Sequence, residues 1–122
     1  MTQQIIITTA AVFGMLSVIF GAFGAHAFKK ILSKEQLKSF ETGVKYQMYH
    51  AITLLILGFN LKNITPAVYW CFTLGILLFS FSIYGLVLSD AKEKKLRFLG
   101  PITPIGGLFL VIGWFLLIIN LW

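Results

Sequence analysis

Two histidines, His26 and His50, are the side chains best suited to carry a proton near neutral pH, and each sits at the edge of a long stretch nearly free of charge. Tyr46, Gln47, Ser80, Tyr84 and Thr103 add hydrogen-bonding groups at comparable positions along the chain. Three chemistries could use such a set. An imidazole pair could bind or relay protons, as ionisable groups inside membrane helices do. Two histidines could begin a metal site, but no carboxylate or thiol stands at ligand spacing to complete one. His50 could act as a base, with Tyr46 or Tyr84 as donor, in an enzyme acting on lipid or quinone. That reading finds no nucleophile–base spacing, metal motif or glycine-rich phosphate loop. No catalytic residue, metal or cofactor is therefore assigned. His26, Tyr46, Gln47, His50, Ser80, Tyr84 and Thr103 are carried forward as one candidate polar site. The structural alternative is that these groups bond one another, a boundary water or lipid headgroups, and hold helices together.

The elements that must position them follow from composition. Hydrophobic residues make up 58% of the 122 and charged residues 11%, far from the balance of a water-soluble domain. Charge-free stretches predict membrane spans at about 5–28, 46–61, 67–88 and 99–122, since a helix needs about 20 residues to cross a bilayer core. The second stretch is short for this. Ahead of it, Ser33-Lys34-Glu35-Gln36 has the form of a capping box. From there Leu37, Phe40, Val44, Met48, Ala51 and Leu55 recur at helical spacing. An amphipathic lead-in should thus run straight into the second span. Leu61–Pro66 reads as a turn closed by proline. The expected fold is all-α: one domain, 1–122, forming an integral membrane four-helix bundle.

Nine of the ten Lys and Arg lie in the first and third connections. The positive-inside rule places those connections in the cytoplasm and, with an even number of spans, both termini outside. Tyr69, Trp70 and Trp122 would mark the outer boundary, and Tyr46, Tyr49 and Tyr84 the inner one. Lys29, Lys30, Lys92, Lys94, Lys95 and Arg97 are the expected contacts to anionic lipid. A net charge of +6 could also suggest nucleic acid, but no basic-aromatic recognition motif accompanies it. The lone Cys71 allows no internal disulfide and reads as a small apolar residue. Ala25-His26-Ala27 has the small-x-small form of a cleavage site, yet Met1–Gln4 is not basic and the apolar run after it is too long for a signal peptide, so the first stretch reads as a retained span.

On the first span Ala10, Gly14, Ser17, Gly21 and Ala25 form a stripe of small residues suited to close helix packing. His26 falls on the opposite side, near Met15, Ile19 and Ala22. On the second, Gly43, Tyr46, Gln47, His50 and Thr53 share a polar face that should turn inward. The polar groups thus gather in the half nearer the basic connections, and the other half is nearly all hydrocarbon.

Three segments, Gly21–Phe28 (GAFGAHAF), Glu41–Ala51 (ETGVKYQMYHA) and Gly100–Trp114 (GPITPIGGLFLVIGW), resemble those of domain of unknown function 423, also called uncharacterised protein family 0382 and related to eukaryotic transmembrane protein 256. The likeness covers nearly the whole chain in order and spacing. It implies a multi-pass protein of a bacterial plasma membrane and carries no biochemical activity. It also implies that Gly21, Gly24, His26, Glu41, Gly43, Tyr46, Gln47, His50, Gly100, Pro101, Pro104 and Gly106 belong to the family's motif blocks. The expected role is structural: a membrane bundle that contacts lipid or docks a protein partner whose identity the sequence does not give, with homo-oligomers within its reach. The alternative is an oligomeric small transporter or channel with a histidine site on the cytoplasmic side.

Overall fold

A computed structural model describes residues 2–60, 62 and 64–122, for Leu121 the backbone alone. The expected turn's Leu61 and Asn63 lie outside the described residues. The chain is helical: α1 (Gln3–His26), α2 (Lys34–Phe59), α3 (Pro66–Ile76), α4 (Ser82–Ala91) and α5 (Ile102–Leu121), with short 3-10 turns at Phe28–Lys30 and Arg97–Leu99. A π-helical turn, Leu77–Phe81, joins α3 to α4, so Pro66–Ala91 runs on as one 26-residue helix.

The helix starts follow local chemistry. Thr2 caps α1, its hydroxyl accepting from the Ile5 N–H. Ser33 caps α2 and forms the full capping box with Gln36, satisfying two backbone N–H groups that a helix start leaves unpaired. Thr65 caps α3 with Pro66 in its first turn, where the missing N–H costs nothing. Pro104 likewise falls in the first turn of α5, so it breaks no helical bond.

α2 is one unbroken helix of 26 residues from its polar start to its apolar end. At 1.5 Å per residue it is about 39 Å long, enough to cross a hydrocarbon core near 30 Å. Three helices among the described residues are long and apolar enough to be spans by composition: Gln3–His26, Pro66–Ala91 and Arg97–Asn120. α2 is not one of them, because Lys45, Gln47 and His50 interrupt its apolar run.

α1 and α2 pack antiparallel. Phe40, near the start of α2, lies 3.1 Å from where a Cβ on Gly24 would be, while Gly58 near its end faces Ile6 and Ile7. Ala10 and Ser17 are buried and Gly21 faces Val44 across this seam. Two members of the expected stripe depart from it. Ala25 is exposed, Gly24 taking the contact in its place, and Gly14 has open space where a Cβ would be. At about 100° per residue, Ser17 and Gly24 turn about 20° and 40° from Ala10 toward the buried Ile6 and Phe13, whereas Gly14 and Ala25 turn about 40° and 60° the other way.

α5 packs antiparallel on the 66–91 helix: Gly113 meets Phe72, Leu110 fills the space beside Gly75, and Gly106 meets the π turn. Ile6, Ala10, Phe13, Ala51, Leu54, Val68, Phe72, Ile76 and Leu110 form the main core. A second cluster of Leu32, Phe40, Tyr84 and Val87 sits nearer the polar connections. Outward-facing Val18, Leu108, Val111, Phe115 and Ile118 leave a broad apolar surface, of a kind that water-soluble monomers do not carry.

These pairings put both polar connections at one end of the molecule. There Gln36 Nε2 donates to Asp90 Oδ2 at 2.9 Å. Between them α4 ends in a Schellman pattern, with Lys94 N–H donating to Ser89 O and Glu93 N–H to Asp90 O. The residue that must turn left-handed to make it is Glu93, at φ 60°, where glycine is usual.

Candidate functional site

Gln47, on α2, is wholly buried. Its Nε2 donates to the Phe13 carbonyl of α1 at 2.8 Å, and its Oε1 accepts from the Tyr84 hydroxyl of α4 at 2.6 Å. One side chain thus ties three helices. Ser17 Oγ donates to the same Phe13 carbonyl at 2.9 Å. Ser80 Oγ, also wholly buried, donates to the Gly43 carbonyl at 2.7 Å. A buried polar group in an apolar surround costs stability unless it is paired, and each of these is.

His50 is buried one turn further along α2, between Phe72 and Trp114. Its Nδ1 lies 2.7 Å from the Tyr46 carbonyl, and Trp114 Nε1 lies 3.0 Å from its Nε2. A carbonyl only accepts and an indole N–H only donates. The hydrogen of the imidazole therefore sits on Nδ1, and Nε2 holds Trp114. Both ring nitrogens are occupied by protein groups, which fixes the tautomer and leaves no free nitrogen to pass a proton onward.

Ser82 and Thr103 hydrogen-bond through their hydroxyls and link α4 to α5. Ser82 Oγ donates to the Phe79 carbonyl at 2.9 Å, so the Thr103 hydroxyl supplies the hydrogen of the bond between the two. The π turn lies between these contacts. On one side Gly106 of α5 comes so close that a Cβ there would overlap the Phe79 backbone nitrogen and lie 2.8 Å from its Cα. On the other, a Cβ on Gly43 would lie 2.8 Å from the Tyr84 ring. Glycine at both positions lets α2 and α5 close on the widened turn.

The candidate polar residues therefore separate. Gln47, Ser80 and Tyr84 are neighbours in the interior. Thr103 is bonded to Ser82 at the edge of that group. Tyr46 offers its carbonyl to His50 and packs against Phe79, but the residue is 42% exposed. His26 is apart from all of them. It is exposed on α1 and lines a shallow apolar hollow with Ile19, Ala22, Phe23 and Ala27. The two histidines do not meet. The aromatic boundary residues divide in the same way: Trp70 and Tyr49 are exposed, whereas Tyr84 is interior and Tyr69 is buried with its hydroxyl 2.8 Å from Thr9 Oγ1. Lys29, Lys30, Lys92, Lys94, Lys95 and Arg97 are all exposed at the end that holds both connections.

Four features were missed in the sequence. The Phe13 carbonyl has no signature, because any helical residue offers one. The π turn Leu77-Leu78-Phe79-Ser80-Phe81 holds no glycine or proline to announce it. Trp114 does carry a signal: it lies mid-span, away from the boundary positions tryptophan favours, and so needs an interior partner for its N–H. The glycines of the α3–α5 seam, Gly75, Gly106 and Gly113, were visible but spaced across two helices.

The family described as Protein of unknown function (DUF423) matches residues 20–107, the part that holds the Gln47 and His50 contacts except Phe13 and Trp114. A UPF0382 membrane protein of Staphylococcus haemolyticus is 40% identical over 121 residues, 97% of this chain and 95% of its own length. The UPF0382 membrane protein YwdK of Bacillus subtilis is 34% identical, over 96% of this chain and 95% of its own. The UPF0382 inner membrane protein YgdD of Escherichia coli K12 is 34% identical, over 98% of this chain and 91% of its own. No solved structure matches. Likeness over almost the full length of these relatives, together with helices of membrane-spanning length and an apolar exterior, leads to one conclusion: this chain belongs to the UPF0382 (DUF423) family of bacterial membrane proteins.

Proposed function

We propose that the protein is a four-crossing membrane scaffold, with α2 as a crossing despite its polar face, and that it works through contact with lipid or a protein partner rather than through transport or catalysis. The observation that carries this reading is the use of the interior polar groups, of whose buried side-chain atoms only Thr73 Oγ1 lacks a partner among the described residues. Gln47, Ser80, Tyr84, His50, Ser82 and Thr103 are all engaged in hydrogen bonds between helices. In a bilayer such bonds fasten helices that have no hydrophobic reason to associate. The same bonds count against the transporter alternative, since a relay through His50 would need a ring nitrogen that Trp114 and Tyr46 already hold.

The free charge lies elsewhere. Lys29, Lys30, Lys92, Lys94, Lys95 and Arg97 surround one end of the molecule, which in this reading faces the cytoplasm and attracts anionic headgroups. The test is the lipid retained by purified protein from equimolar phosphatidylglycerol and phosphatidylcholine, measured at low and high salt. Enrichment of phosphatidylglycerol at low salt, lost when the six residues are changed to glutamine, is expected. Equal retention of the two lipids at low salt would refute the lipid contact.

A further inference from the structure

At the end that holds the basic connections, an open groove of about 530 Å³ lies between the start of α2, the end of α4 and the start of α5. That volume falls among small-molecule sites, about 300–1,000 Å³. The lining changes character along the helix axes. α2 enters the molecule from residue 34 and α4 leaves it toward residue 91. Glu35, Gln36, Asp90 and Lys95 therefore edge the outer mouth, and Thr42, Ile83, Thr103 and Pro104 line the inner part. Seven residues separate Glu35 from Thr42, and Ile83 from Asp90, which at 1.5 Å per residue is about 10 Å of depth. A groove charged at its mouth and apolar with hydroxyls below has the polarity profile of an amphiphile.

The charges narrow the choice. The chain has a net charge of +6 and four acidic residues in all, and two of the four face this one opening, with Lys95 at the same mouth. The bond from Gln36 to Asp90 Oδ2 holds the two sides of the mouth together. We propose that the groove binds one phospholipid whose headgroup carries a primary ammonium beside its phosphate. The ammonium sits between the Glu35 and Asp90 carboxylates, and the phosphate meets Lys95. The ester region lies beside the Thr42 and Thr103 side chains, and the first part of an acyl chain follows Ile83. A headgroup with phosphate and no amine would face two carboxylates with one lysine. A quaternary ammonium could not donate hydrogen bonds to either carboxylate. This inference rests on the membrane-spanning reading above, which puts the groove at headgroup depth. It shares Lys95 with the contact made by the basic loops and differs in selectivity, since that contact attracts any anionic lipid and is screened by salt.

The test uses the full chain in nanodiscs containing equal amounts of phosphatidylethanolamine, phosphatidylcholine and phosphatidylglycerol, with lipids that survive transfer to detergent counted by native mass spectrometry. One phosphatidylethanolamine per chain should be retained at high salt, in preference to the other two. Glu35→Gln and Asp90→Asn should each reduce that preference about threefold, the range of an exposed ion pair. Glu35 is exposed in the first turn of α2, and asparagine at 90 keeps an acceptor for Gln36, so both variants should fold. Lys95→Gln should lower phosphatidylethanolamine retention without favouring phosphatidylcholine. Unchanged preference in both carboxamide variants, or phosphatidylglycerol as the lipid held at high salt, would overturn the inference. Salt-sensitive phosphatidylglycerol enrichment without any phosphatidylethanolamine preference would sink the groove while leaving the basic-loop reading in place.

Discussion

Gln47→Leu removes both ends of the link from Phe13 to Tyr84 while keeping a side chain of similar size. Two interhelical hydrogen bonds are lost, the 2.8 Å bond to the Phe13 carbonyl and the 2.6 Å bond from Tyr84. In membrane proteins such bonds average about 0.6 kcal/mol and reach about 1.7 kcal/mol each. The two ends differ in what is left behind. The Phe13 carbonyl keeps its bond from Ser17, whereas the Tyr84 hydroxyl loses its acceptor inside the bundle. An unpaired buried hydroxyl adds about 1–3 kcal/mol. The expected loss for Gln47→Leu is thus about 2–4 kcal/mol, mostly at the Tyr84 end. Tyr84→Phe alone should cost less, and adding it to Gln47→Leu should recover part of the loss because no orphaned hydroxyl remains. Steric trapping or denaturant titration in bicelles would give the four free energies of the cycle. If the two changes add without coupling, or Gln47→Leu is neutral, the interior polar groups do not fasten the helices as described.

Other expectations follow from the same contacts. Gly106→Ala should destabilise by about 1–3 kcal/mol or more in the same titration, because its Cβ would meet the Phe79 backbone rather than a movable side chain; a neutral result would mean that α5 does not lie this close to the π turn. Glu93→Gly should raise stability by about 0.5–1 kcal/mol by relieving the left-handed backbone at φ 60°, which a thermal melt would register as an upward shift; a fall would place that residue in another conformation. His50→Phe should leave the proton permeability of reconstituted vesicles unchanged, since both ring nitrogens are engaged within the protein; a drop in proton flux would restore the relay.

How far the sequence could be read depended on whether a feature was local. The capping box at Ser33 and Gln36 and the proline start at Pro66 depend on residues within one turn, and both form as the local rules require. Helical angle alone places His26 opposite the small-residue stripe, and it is exposed there. Partners across helices were harder. Periodicity places Gln47 and His50 on an inward face but does not say that one reaches a carbonyl of α1 and the other an indole of α5. Depth judged from the edge of the charged run was misleading: His26 ends α1 at the basic end, whereas His50 lies past the midpoint of α2, about 24 Å from its start, between Phe72 and Trp114. The π turn was invisible because nothing in Leu77–Phe81 marks it, and the glycines that make room on either side of it, Gly43 and Gly106, are far apart in the chain.

Whether α2 crosses the membrane decides between three crossings and four, and the two counts place the termini differently. In a Cys71→Ser background, single cysteines introduced at Thr2, Lys30, Lys92 and Trp122 can be probed in intact cells with a maleimide that does not cross the membrane. The four-crossing scaffold requires labelling at 2 and 122 in intact cells, and at 30 and 92 only after the membrane is opened. Labelling of one terminus but not the other in intact cells would contradict it and leave α2 lying on one side of the bilayer.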